Sequence, residues 1–98
     1  GQVLTRQFVF AGNTLKLNAD CGYGLIRVEL LDPAFQPYSG FSAADCDPVA
    51  GQHDQIWHTV TWQGRSDVSA LWNKPVRIRF QLHEASLYAF QFTEEAKA

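Results

Sequence analysis

Lys74-Pro75-Val76-Arg77-Ile78-Arg79-Phe80-Gln81-Leu82-His83 decides the fold. Val76, Ile78, Phe80 and Leu82 alternate with Arg77, Arg79 and Gln81. Side chains of an extended chain point to opposite faces in turn, so period two marks a half-buried strand. The apolar set belongs to a core and the polar set points outward. Pro75 stands at the start of the run, where it removes no donor that a ladder needs.

The same alternation recurs on both sides of this stretch. Gln55 to Trp62 groups Ile56, Val60 and Trp62, with Trp57 opposite. His58 shares parity with Ile56 and Val60, so it is expected to be a partly buried histidine with its hydrogen bonds satisfied rather than a ligand. Gly24 to Asp32 sets Ile26, Val28 and Leu30 against Arg27 and Glu29, and Thr14 to Asn18 sets Leu15 and Leu17 against Lys16. Phe8 and Phe10 form a further inward pair. Toward the C-terminus, Tyr88, Phe90 and Phe92 fall on one side of Leu87 to Phe92.

Turn formers separate the runs. Ala11-Gly12-Asn13 is short enough for a hairpin between the first two strands, and Glu84-Ala85-Ser86 for one between the last two. Asp20 to Gly24, Asp32 to Gly40 and Asp45 to Asp54 read as loops. Ser66 to Trp72 suits a single helical turn capped by Ser66 or Asp67. The tail from Thr93 to Ala98 is expected to fray. Six or more short strands with regular turns predict an all-β fold, an antiparallel β-sandwich that is jelly-roll-like.

The 98 residues suffice for one domain, expected to span 1–98 and to be cut from a larger protein. With 46% apolar residues a packed core is available, which excludes disorder as a description of the whole. A net charge of −2 with scattered Lys and Arg argues against nucleic acid and against anionic membranes. No apolar run reaches the ~20 residues of a bilayer span. Gly1-Gln2-Val3 reads as a boundary from which a leader or preceding domain has been removed. Cys21 and Cys46 leave two readings open. Both are buried free thiols, or they form one disulfide, which implies an oxidising compartment. Such a loop of ~25 residues would stabilise by about 3 kcal/mol.

Catalytic chemistry finds little support in this pattern. Ser39, Ser42, Ser66, Ser69 and Ser86 lie in turn-like segments without a nucleophile-elbow motif. Cys46 with His53 or His58 has nothing to fix a nucleophile–base geometry. The aspartates Asp20, Asp32, Asp45, Asp47, Asp54 and Asp67 sit where turn aspartates usually do. The chain therefore reads as non-catalytic, with no cofactor. Asp45, Asp47 and Asp54 share one loop region and form a candidate calcium loop, against plain turn chemistry. Sugar binding pairs aromatic faces with polar side chains. Trp57, pointing away from the core, the loop aromatics Trp72 and Tyr38, and the outward polar set Arg27, Glu29, Arg77, Arg79 and Gln81 form the candidate carbohydrate or docking surface. The competing reading of that polar face is an ordinary solvated sheet surface.

Several of these segments carry a resemblance. Leu15-Lys16-Leu17-Asn18, Gly24-Leu25-Ile26-Arg27-Val28-Glu29, Pro37-Tyr38-Ser39-Gly40-Phe41-Ser42, Val60-Thr61-Trp62, Lys74 to Phe80 and Leu87-Tyr88-Ala89-Phe90 follow one another in an order that resembles a C-terminal β-sandwich module of secreted bacterial proteins related to glycosidases of the invertase and sialidase β-propeller type. The resemblance implies an accessory domain without catalytic residues of its own. Its parent would be secreted or periplasmic, and its partner a neighbouring domain of the same polypeptide. The alternative is an autonomous carbohydrate-binding module. A third reading is self-association through an exposed sheet edge.

Overall fold

A computed structural model of the chain describes residues 1–50 and 56–96. Among these described residues nine strands follow in order: β1 (Gln2–Leu4), β2 (Thr14–Asp20), β3 (Leu25–Leu31), β4 (Cys46–Asp47), β5 (Val49–Ala50), β6 (Ile56–Thr59), β7 (Thr61–Trp62), β8 (Arg77–His83) and β9 (Ser86–Thr93). One sheet has the order β1-β8-β3-β5, a second β6-β2-β9, and β4 pairs with β7 in a short ribbon. Every pairing is antiparallel. The protein is an all-β antiparallel sandwich. Consecutive strands always change sheet or ribbon, and among the described residues no two consecutive strands pair.

The alternation read from the sequence builds both inner faces. Ile26, Val28 and Leu30 of β3 and Ile78 and Phe80 of β8 meet Leu15, Leu17 and Ala19 of β2, all fully buried. Each large side chain so buried stabilises by about 1.5–3 kcal/mol. Val60, Trp62, Val68, Leu71 and Val76 belong to the same cluster. Phe8, Phe10, Phe80, Phe90 and Phe92 form a chain of ring contacts, with Phe10 stacked on Phe92 at 4.2 Å between centroids.

Two glycines hold positions that other residues cannot. At Gly24 an added Cβ would lie 1.7 Å from the His83 carbonyl oxygen, so β3 begins where one backbone presses on another. Gly40, at φ 86°, turns the chain so that Phe41 packs edge-on against Trp62 at 5.3 Å.

Several expectations are corrected. Ala11-Gly12-Asn13 and Glu84-Ala85-Ser86 are not hairpin turns. The first joins chain leaving β1, in one sheet, to β2 in the other, and the second joins β8 to β9 across the sandwich. The run from Gln55 to Trp62 is not one strand, because the chain breaks at Val60, leaving β2 for the β4 ribbon. Tyr88 is not a core residue. Asn18 faces Ala89 while Ala19 faces Leu87, and this bulge takes Tyr88 out of the inward parity, leaving it 55% exposed. Beyond β9, Glu95 exchanges backbone hydrogen bonds with the Asn13 side chain and pairs its carboxylate with Lys16, while Lys97 and Ala98 lie outside the described residues. The single helical turn is a 3-10 turn at Ser69–Leu71, preceded by Asp67 Oδ1 accepting from the Ser69 amide.

Candidate functional site

The β3–β8 register brings the predicted polar residues together on one outer face. Arg27 faces Gln81, Glu29 faces Arg79, and Leu31 faces Arg77. Four of these residues, Arg27, Glu29, Arg77 and Arg79, make contacts within the chain. Glu29, expected to point to solvent, is only 6% exposed. It accepts from Arg79 at 2.7 Å and from the Ala43 amide at 3.2 Å, because the chain after Gly40 lies over it. Arg27 donates to the Cys46 carbonyl at 3.3 Å. The Arg77 guanidinium lies 4.7 Å from the centre of the Phe35 ring. With both of its carboxylate oxygens engaged, Glu29 ties the chain after Gly40 to the sheet face.

The three predicted aromatics are dispersed. Tyr38 packs on the core, donates its hydroxyl to the Pro75 carbonyl at 2.8 Å and lies near the Lys74 ammonium. Burial and the nearby Asp32 charge raise its pKa. Trp72 is 45% exposed, but its indole N–H donates to the Gly12 carbonyl at 2.6 Å, so it pins the crossing chain between Phe10 and Thr14. Trp57 lies on the outer face of the other sheet, opposite Asn18, and is 44% exposed. It lines a shallow groove of about 350 Å³ with Asp47, Pro48, His58, Thr59 and Thr61. Of the predicted aromatics it is the one set in a polar groove. Contrary to the satisfied histidine expected, His58 Nε2 is buried without a hydrogen-bond partner, as are Asn18 Oδ1 and Arg77 Nε.

The candidate calcium loop resolves into turn chemistry where it is described. Asp47 Oδ2 accepts from Thr61 Oγ1 and from the Gly64 amide, both at 2.7 Å, and these bonds hold its carboxyl below the usual aspartate range. Asp45 accepts from the Gln63 side chain at 3.1 Å. Asp54 and His53 lie outside the described residues. Among the described residues no three His, Cys, Asp or Glu side chains are grouped to hold a metal.

Cys21 and Cys46 are free and buried, so the disulfide reading is replaced by that of two thiols. The reason is visible in their partners. Cys21 Sγ donates to the Val49 carbonyl at 3.3 Å. Cys46 Sγ accepts from the Val28 amide at 3.3 Å, at a point where the edge ladder of β3 lapses between its pairing with β5 and its bonds to Tyr38 and Phe41. Burial pushes both thiols up, Cys21 further by the Asp20 charge. At Cys46 the Val28 amide opposes that rise.

Two features were missed in the sequence. One is a cavity of about 180 Å³ floored by Phe41 and Trp62, with Ser39, Arg65, Asp67 and Ala70 around it. The other is an open side of the sandwich. Val3 faces Phe80 in register and therefore points inward, and Phe90 contacts Phe80 at 5.4 Å. Both would be core residues in a closed sandwich, yet Val3 is 46% and Phe90 36% exposed. They belong to the end strands β1 and β9, which have a neighbour on one side only among the described residues. The sequence signal was the uncharged run Ser86 to Thr93, eight residues without Lys, Pro or acid, an unguarded edge.

No protein-family model matches the chain, and neither a curated protein nor a solved structure matches it. No helix among the described residues is long and apolar enough to cross a membrane.

Proposed function

We propose that this chain is a non-catalytic accessory β-sandwich of a larger secreted or periplasmic glycosidase-like protein, docked on a neighbouring domain of the same polypeptide. The observation that carries the reading is the open side. Inward-pointing Val3 and Phe90 stay exposed beside two unguarded strand edges. An apolar surface of that kind marks an interaction site. In this reading the docking surface lies on β1 and β9 rather than around Trp57 and Trp72.

Hydrogen exchange tests it by comparing the longer polypeptide with the isolated chain. The expected result is strong protection of β1 and β9 in the longer protein. Equal exchange in both, or a natural reading frame that encodes these residues alone, would sink the proposal.

The Trp57 groove supports a second reading, carbohydrate contact, since it sets an exposed indole beside hydroxyl and carboxylate groups. Trp57→Ala should then abolish retention on an insoluble polysaccharide without lowering the Tm. Unchanged retention would remove the groove from consideration.

A further inference from the structure

The two sheets differ on their outer faces. Over β3 and β8, Phe35, Ala43 and Cys46 each contact a charged side chain of the sheet. On the face of β6, β2 and β9 the charged residues are Lys16 and Asp20, and both are already engaged. Lys16 pairs with Glu95, and Asp20 accepts from the Gly22 amide. The uncharged residues of that face are not engaged. Among the described residues no hydrogen bond within the chain reaches the side chains of Trp57, Thr59, Asn18, Tyr88 or Gln91.

Register sets the pattern there. Asn18 stands between Trp57 on β6 and Ala89 on β9. Leu87 packs on the core and Phe90 contacts Phe80. The two residues between them, Tyr88 and Ala89, therefore both point outward, as the two-for-one count of the bulge allows. Trp57 and Tyr88 are each half-exposed. They flank Asn18 across two strand spacings, about 9.6 Å.

We propose that this face binds an extended, uncharged β-1,4-linked glycan, with Trp57 and Tyr88 under alternate sugar rings and Asn18 under the ring between them. The proposal rests on the carbohydrate reading of Trp57 and adds the ligand class and a second aromatic. Three observations select the occupant. The first is spacing. In an extended β-1,4-linked chain every second ring presents the same face, at a repeat that matches two strand spacings. An α-1,4-linked chain coils and does not lay alternate rings along a sheet. The second is charge. With Lys16 and Asp20 engaged, the face suits a neutral chain of hydroxyls and gives nothing to a polyanion. The third is chemistry. Aromatic side chains take the apolar faces of sugar rings. The Thr59 hydroxyl and the Gln91 amide stand one row along, on either side of Lys16, for the ring hydroxyls. Asn18, whose side-chain oxygen is buried, offers its amide nitrogen. Docking through Val3 and Phe90 uses inward-pointing residues and leaves this outer face free.

Ligand length tests the geometry, by calorimetry on the intact chain. Two sugar rings reach one aromatic and three reach both. Cellotriose is therefore expected to bind about tenfold more tightly than cellobiose. Tyr88→Ala should remove that step and Tyr88→Phe should keep it, each with the circular dichroism spectrum of the parent. Maltotriose should gain no such step over maltose. Equal affinity for cellobiose and cellotriose, a step that survives Tyr88→Ala, or a preference for maltotriose over cellotriose would each overturn the proposal. If Trp57→Ala abolishes retention on polysaccharide while Tyr88→Ala changes nothing, the groove reading stands and this one falls. No binding of any glycan by the folded chain would end both.

Discussion

Trp62 donates its indole N–H to the carbonyl of Val28 at 3.0 Å, across 34 residues of chain. The amide of the same Val28 donates to Cys46 Sγ. Two side chains thus replace the strand that β3 lacks at this point, and the core can be dry there because neither backbone group is left unpaired.

Each substitution at this junction should carry a separate cost. Trp62→Phe leaves the Val28 carbonyl buried and unpaired, and Cys46→Ala does the same to its amide. Each loss is expected at about 1–3 kcal/mol, with a further packing loss for the smaller ring. Urea denaturation measures both. Changes within experimental error would mean that water reaches Val28.

Gly24 should tolerate nothing larger. The Cβ of Gly24→Ala would meet backbone oxygens of His83 and Glu84, at 1.7 and 2.6 Å, and neither can give way without breaking the start of β3. Loss of the folded state is expected. Gly22→Ala is the control. Its φ is 50° with no heavy atom nearer than 4.0 Å, and it should cost about 1–2 kcal/mol. Comparable melting temperatures for the two variants would contradict the close approach.

Both thiols should be silent in the native state. They are buried, and their raised pKa values leave little thiolate at neutral pH. A thiol–disulfide reagent should react with neither Cys21 nor Cys46 until denaturant is added, and then with both. Rapid modification of the native chain would show that the covering loops open often.

Acid should weaken the β4–β7 ribbon through Asp47. Its folded-state pKa is lowered by the Thr61 hydroxyl, then by the Gly64 amide. It therefore contributes stability that is fully present above its unfolded pKa and is lost as pH falls through the folded value. Asp47→Asn should flatten the acid side of the stability profile and leave the neutral side nearly parallel to that of the parent chain. An unchanged acid limb would place the titrating group elsewhere.

What could be read in the sequence was set by the range of the forces involved. Parity along β2, β3 and β8 depends only on neighbouring residues, and Leu15, Ile26, Ile78 and Phe80 lie where alternation puts them. The bulge at Tyr88 shifts parity within one strand, and nothing in Leu87 to Phe92 announces it. The Glu84-Ala85-Ser86 link looks like a tight turn because three residues suffice for one, and the same three also suffice to cross the sandwich. The polar outer set was legible as a face, since register follows from β3 and β8 being neighbours. The burial of Glu29 was not, because the amide that dries it belongs to Ala43, in a loop without periodicity. Trp72 read as a platform for the same reason: its partner, the Gly12 carbonyl, is 60 residues away.

The absence of pairing between consecutive strands also governs how the protein is made. While the chain leaves the ribosome, β1 has nothing to join until β8 has emerged, and β2 waits for β6 on one side and β9 on the other. The Leu82 amide donates to the carbonyl of Gly1, 81 residues earlier. Contacts this distant slow folding, since most of the loop-closure entropy is lost before any of them forms. Synthesis therefore exposes a growing set of apolar strands, and only the emergence of β9 lets both sheets form together. Stopping the chain short of Thr93 should yield a sticky polypeptide rather than a smaller domain.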